Sequence, residues 1–324
     1  LALGSLVVTL AAGGCGSTGE PVDGSVEVRT APTVETAASA TVTPEEVASA
    51  TPSPTITPSE TPVARPTWTP RPTVPPGEEG AYWNEAVATN FGCELPCWWG
   101  MVPGSATWQD VSAVYRPIGW GDIPLGRSPR MKRHNFSVPY GDEVSGPIYL
   151  NFLEKDGVIW GIDARFSEMN GSLLRDGPGL VEALRRYSLP EVVSRLGDPQ
   201  QILIGIENDP VEEGVYWTYA MWLDYSGRGV AIYYLVDTIT PLDDAGAFRV
   251  CPRFGGIEKI DLYMRAADGT HTLVEMTEGS ADITHQLANG TLREIEAATG
   301  LSAGQFANAL RTQGDNACFD AQLW

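Results

Sequence analysis

One long stretch of this chain has no means of folding, and it limits where any fold can lie. Between about Gly16 and Glu79 runs "TVTPEEVASATPSPTITPSETPVARPTWTPRPTVPPG", dense in Thr, Pro and Ser and poor in large apolar side chains. With so little to bury, it does not offset its own ordering entropy, and the expectation over 16–79 is a disordered linker. Proline-rich chain favours extended polyproline II at about 3.1 Å per residue, so a tether of this length holds a domain on the order of 100 Å from its anchor. The folded part is thereby confined to 80–324, which suits one large domain or two small fused units.

Ahead of the linker lies "LALGSLVVTLAAGGC", an uncharged apolar run closing on small residues before Cys15. That is the h-region and cleavage pattern of a secretory signal, and it is shorter than the roughly 18 to 20 residues a membrane-spanning helix needs. No basic n-region precedes it and the chain opens on Leu1, so further residues are expected upstream. Ala12-Gly13-Gly14-Cys15 resembles the lipobox of bacterial lipoproteins. The resemblance implies that Cys15 carries lipid and becomes the N-terminus, with 1–15 as the signal segment and the cell surface as the location.

Charge narrows the partners. Against 41 acidic residues stand 21 basic ones, a formal charge of −20, which repels nucleic acid and anionic lipid surfaces. The expected partners are the membrane, through the N-terminal lipid, and a protein or cell-envelope ligand, with no nucleic acid. One basic cluster, Arg127, Arg130, Lys132, Arg133 and His134, reads as a solvated loop.

With Cys15 assigned to lipid, four cysteines remain, Cys93, Cys97, Cys251 and Cys318, an even number in an oxidising compartment. Four cysteines allow three pairings. A local Cys93–Cys97 bridge with Cys251–Cys318 is preferred; the alternative staples the front of the domain to its back. In "NFGCELPCWWG" the spacing is not the C-x-x-C of redox enzymes, and no histidine stands at zinc-ligand spacing, so the pair reads as structural.

Within 80–324 a pattern recurs. "SATWQDVSAVY" sets Thr107 as a helix N-cap with Asp110 three residues on and Val111 and Tyr115 on one face; "YSLPEVVSRLGDP" does the same with Ser188, Glu191, Val192 and Leu196, ending at Gly197. Each is followed by an alternating hairpin, one turning at Asp156-Gly157 and one at Ser226 to Gly229, and a further strand is expected at "IEKIDLYMRA". Capping boxes at Thr291/Glu294 and Ser302/Gln305 open two C-terminal helices within 285–324, held by Cys318. The fold class expected is α+β: an antiparallel sheet packed by helices, with possible repeat units 100–170 and 180–240.

"GMVPGSATWQDVSAVYRPIG" and "YSLPEVVSRLGDP…VYWTYAMW" are similar to the repeat pattern of the SmpA/OmlA lipoproteins of outer-membrane assembly, an architecture also seen in tandem in the β-lactamase inhibitor proteins. The resemblance implies helices against an antiparallel sheet, used for protein binding or assembly without catalysis.

On the strand 215–225, alternation puts Val215, Trp217, Tyr219, Met221 and Leu223 on one face, the core, and Tyr216, Thr218, Ala220, Trp222 and Asp224 on the other. Tyr216, Trp222 and, from the facing strand, Tyr233 are the candidate binding residues if this face is open. If the C-terminal helices cover it, the same residues form a second core. No nucleophile elbow, zinc-protease, P-loop or dinucleotide motif occurs, so no catalytic residue, metal or cofactor is assigned. Acidic clusters at Glu207, Asp209, Glu212 and Glu213 and at Asp237, Asp243 and Asp244 read as solvated loops. An extracellular hydrolase acting on glycan or peptide, with two carboxylates meeting only in three dimensions, is the alternative to a binding module.

Overall fold

The computed structural model describes residues 73–118, 132–140, 143–167, 182–211, 214–237, 239–242, 246–277 and 281–322, all within the unit Val63–Trp324. Cys15, the rest of 1–15 and most of 16–79 lie outside the described residues, as do the side chains of 132–147 and 207–217.

Helix α1 (Glu79–Thr89) leads to α2 (Trp108–Tyr115), which starts where expected: the Asp110 carboxylate accepts from the Thr107 N–H at 2.7 Å and from its hydroxyl at 2.9 Å. Three antiparallel strands follow: β1 (Lys132–Tyr140), β2 (Glu143–Lys155) and β3 (Val158–Phe166). The β2–β3 turn is the expected one, with both Asp156 and Gly157 at positive φ, as a two-residue type I′ hairpin loop requires. A second set repeats the order, α3 (Leu189–Leu196), β4 (Gln201–Val211), β5 (Gly214–Tyr225) and β6 (Val230–Val236). The unit is therefore a helix plus three strands rather than a helix plus a hairpin. The additional strands, β1 and β4, begin within or beside charged and polar sequence that reads as loop. At α3, Ser188 occupies the N-cap position with Pro190 in the first turn, but its side chain makes no cap bond.

Beyond β6 come β7 (Ile239–Pro241), β8 (Ala247–Val250) and β9 (Ile257–Arg265), then α4 (Leu273–Met276), α5 (Ala281–Ala288), β10 (Leu292–Glu294), α6 (Ile295–Thr299), α7 (Ala303–Gln313) and β11 (Phe319–Gln322). The Ser302/Gln305 box opens α7 as expected. Thr291/Glu294 does not: Leu292 to Glu294 pair with β4 as a strand, and α6 begins only at Ile295.

The main sheet is antiparallel with strand order β1-β2-β3-β9-β6-β5-β4-β10. Each three-strand set joins β9 by its last strand. Because β3 and β6 both run against β9 they run with each other, so no two-fold axis normal to the sheet relates the two units. A smaller sheet, β11-β8-β7, completes the α+β fold.

One face of the large sheet carries the main core. Ile148, Leu150 and Phe152, Ile162 and Phe166, Met221 and Leu223, Ile232 and Tyr234, and Ile260 and Leu262 are buried against Trp83, Val111, Tyr115, Val192 and Phe306 of the helices and Val250 and Phe319 of the small sheet. Residues before 80 also join: the Val74 N–H donates to the Pro117 carbonyl at 2.7 Å, so the packed chain reaches back beyond the expected start.

The disulfides are Cys93–Cys97 and Cys251–Cys318, the preferred pairing, which matches an extracytoplasmic, oxidising compartment. The first lies in a loop braced by Asn90, fully buried, whose side-chain N–H donors bond the carbonyls of Cys93 (2.9 Å) and Cys97 (2.8 Å) while its oxygen accepts the Trp99 N–H at 2.7 Å. That bracing delivers Trp98 and Trp99 into the core, their rings 5.1 Å apart. The motif that invites a redox reading is thus a clamp that aims two tryptophans inward. The second disulfide joins the chain just after β8 to the chain just before β11, closing a span of 67 residues that contains α4, α5, α6 and α7.

Candidate functional site

The other face of the sheet is where exposure changes. Register places Tyr149 of β2, Arg165 of β3, Asp261 of β9, Tyr233 of β6, Trp222 of β5 and Leu203 of β4 side by side in a single lateral row. Directly opposed residues in antiparallel strands share a face, so this row crosses the whole second surface.

At the β4, β5 and β6 end the row is dry. Leu273 and Met276 of α4, Ile283 of α5 and Leu292 of β10 pack onto Leu203, Ala220, Trp222, Ala231, Tyr233 and Tyr263. Trp222 is 2% exposed and Tyr233 7%, with ring centroids 4.8 Å apart and Tyr263 stacked 5.7 Å from Trp222. The expected open aromatic surface is therefore corrected at Trp222 and Tyr233. The segment after β9 covers them and makes a second core, because the aromatic rings gain more from apolar helix faces than from water. Tyr216 stands opposite Asp209 in the backbone register, and its side chain lies outside the described residues.

Arg265, the last residue of β9, anchors this cover. Its side chain is fully buried, paired to Asp163 at 2.7 Å, bonded to the Met264 carbonyl at 2.9 Å and to the Met276 carbonyl at the end of α4, and it lies over the Trp160 ring at 5.2 Å. Gly161 leaves room for it, since a Cβ there would meet an Arg265 nitrogen at 2.9 Å.

Toward β3 and β2 the row opens. Asp261 remains buried, 3% exposed, between two cations that reach the surface: Arg165 Nε stands 3.2 Å from Oδ1 as an ion pair and Lys259 Nζ 3.1 Å from Oδ2, with side chains 47% and 29% exposed. The Tyr263 hydroxyl donates to Oδ2 at 3.4 Å, and Lys259 lies 5.1 Å over the Tyr233 ring. Burial pushes the Asp261 carboxyl pKa up; Lys259 and Arg165 pull it back without cancelling the rise. One buried carboxylate between two cations leaves a local positive surplus in a chain of net charge −20. Next along the row Tyr149 is 41% exposed, one of the few large apolar side chains so open among the described residues.

The remaining sequence candidates separate cleanly. Lys132, Arg133 and His134 belong to β1 rather than a loop, while Arg127 and Arg130 lie outside the described residues. Glu207 and Asp209 lie in β4, and Glu212, Glu213, Asp243 and Asp244 are outside the description. Among the described residues no group of three His, Cys, Asp or Glu is placed to hold a metal ion, and no helix is long and apolar enough to cross a membrane. An open groove of about 530 Å³ lies beside α1, lined by Val74, Glu78, Tyr82 and Glu85 among others.

No protein-family model, no curated protein and no solved structure matches this chain. Arg165, Lys259 and Asp261 were not singled out from sequence, although their signal was present: "GIDARF" and "EKIDLYMR" alternate polar and apolar residues as regularly as the β5 strand does.

Proposed function

We propose that this chain is an extracytoplasmic lipoprotein, anchored through Cys15 and spaced from the membrane by the 16–79 stalk, whose domain is a non-catalytic binding module for a protein or envelope component. Its binding surface is the open end of the second sheet face, with Tyr149, Arg165 and Lys259 as contacts and Asp261 beneath them. The observation that carries the reading is the lateral row itself: the strands that bury Trp222 under a helical cover leave a tyrosine and an arginine in water, with the part-buried Lys259 two residues along β9. Exposed aromatic and arginine side chains are the types that anchor interfaces. Two helix-plus-strands units in one antiparallel sheet support the resemblance to assembly lipoproteins.

Co-sedimentation of the full chain with fractionated envelope tests this. The double variant Tyr149→Ala with Arg165→Ala is expected to lose binding while its amide spectrum stays that of a folded chain, and undiminished binding overturns the surface. Cys15→Ser is expected to abolish the lipid mass increment and release the protein from membranes.

A hydrolase has one observation in its favour, a buried Asp261 whose raised pKa suits a general acid. Asp163, on the neighbouring strand, is already held by Arg265. Turnover of envelope glycan or peptide that disappears in Asp261→Asn would move this reading ahead.

A further inference from the structure

We propose that the open end of the row is a subsite for a carboxylate-bearing sugar, a uronic acid or a similarly acidic pyranose in a sparsely charged envelope glycan; this rests on the binding-module reading and names its ligand. Three groups supply the recognition.

The first is the cation pair. Arg165 reaches Asp261 through Nε and Lys259 through Nζ, and both side chains extend from the buried carboxylate into solvent. Guanidinium donors match a carboxylate's two oxygens, and a second cation beside them adds charge without demanding geometry. Asp261 holds the two cations in place from below and leaves a surplus of positive charge for a ligand anion.

The second is the Tyr149 ring, directly opposite Arg165 in register and open to water. A flat aromatic ring offers apolar area at small entropic cost and covers the C–H face of a pyranose, while the ring's carboxylate substituent reaches the guanidinium one strand away. The third is Asn151, two residues along β2 on the same face and half-buried, whose amide makes no bond to the described residues. An amide both donates and accepts, which matches adjacent sugar hydroxyls.

Overall charge sets the density of the ligand. A chain at −20 repels a closely spaced polyanion at long range. The local surplus acts within about a Debye length, near 8 Å at physiological salt, so isolated carboxylates separated by neutral sugars are favoured.

The test titrates the full chain with sodium D-glucuronate, D-glucose, methyl D-glucuronate ester and acetyl-dialanine, following the Arg165 Nε–H and Tyr149 ring signals by NMR. Saturable shifts with glucuronate alone are expected, with binding weakened at least tenfold in Arg165→Gln, Lys259→Gln and Tyr149→Ala while the amide spectrum of each variant stays that of the folded parent away from the site. Glucuronate that fails to saturate, or binds all three variants equally, overturns the proposal. Saturation by acetyl-dialanine in place of glucuronate also overturns it, assigning the cations to a peptide carboxylate. Envelope co-sedimentation separates the two levels: if the Tyr149 and Arg165 double variant loses envelope binding while glucuronate is silent, the surface stands and the sugar falls. If envelope binding is indifferent to that variant, both fall.

Discussion

The second face of the large sheet has two ends built from the same kind of strand. Over β4, β5 and β6 it is sealed by α4 and α5, with Leu292 of the edge strand β10 joining the cluster, and over β3 and β2 it carries a tyrosine and an arginine in water. Strand alternation is equally regular at both ends. What decides burial is therefore the segment that follows β9, which turns back over one end only. A pattern of period two says which residues share a face, and is silent on what lies above that face.

The sharpest way to break this contrast is to remove what the cover rests on. Trp222→Ala is expected to cost about 3 to 5 kcal/mol, as for a large aromatic deleted from a packed core. For a domain of this size that lowers the melting temperature by on the order of 10 °C. A shift under about 2 °C in a thermal melt would show that the end over β5 is as open as the other. Arg265→Ala is expected to cost about as much, because it leaves the buried Asp163 carboxylate without its cation and α4 without its carbonyl anchor.

Next in size come the disulfides, which constrain the covered and uncovered parts unequally. Cys251–Cys318 closes a span of 67 residues that includes the whole cover, whereas Cys93–Cys97 closes a span of 4. Loop-closure entropy assigns the first about 4 kcal/mol and the second about 2 kcal/mol. Paired Cys→Ser variants followed by denaturant unfolding check the order. Hydrogen exchange in the Cys251/Cys318 variant is expected to rise in α4, α5 and α7 before it rises in β2 and β3. Uniform exchange would show that the cover does not depend on the clasp.

The same comparison explains what was legible in the sequence. Both hairpins and the Thr107 and Ser302 caps are local features whose chemistry spans a few residues, and the structure has them; the compartment called for two disulfides, and the structure has the preferred one of the three pairings that four cysteines allow. The β1 and β4 strands were missed because charge and proline, as in Lys132-Arg133-His134 and Glu207-Asn208-Asp209-Pro210, read as loop when sheet pairing is out of view. Tertiary pairing overrides local propensity there. The candidate surface was sought on β5, where the aromatic rings are most numerous, and lies instead on β2, β3 and β9. Nothing within Trp222 and Tyr233 distinguishes a ring under a helix from a ring under water. The distinction rests on Leu273, Met276 and Ile283, some 50 residues downstream by the numbering.

A smaller effect marks the boundary between the two ends. The Asp261 carboxyl has its pKa raised by burial, so the folded state holds this proton to higher pH than the unfolded chain, whose aspartates titrate near 3.9. Between those two values the native state binds more protons, and stability contributed by this group falls as pH rises through the window, then levels off above the folded pKa. Asp261→Asn is expected to flatten that slope in urea titrations run at successive pH values. If instead stability in the parent rises with pH through the window relative to the variant, the two cations outweigh burial, and the boundary is electrostatically part of the open end.

The smallest expected effect is the one on which the open end stands. Tyr149→Ala removes a ring of the same class as the buried Tyr233, in the same row and three strands away, yet its expected cost is within about 0.5 kcal/mol because the ring is 41% exposed and leaves no sealed cavity when removed. Equilibrium urea unfolding of this variant beside Tyr233→Ala makes the measurement internal to one row of one sheet. A cost above about 2 kcal/mol at Tyr149 would mean that its ring rests on packing comparable to that under α4, and the end assigned to binding would be a third core instead. A near-zero cost, with envelope binding lost, leaves a residue that contributes little to folding and much to contact, the combination that a binding surface on a stable sheet requires.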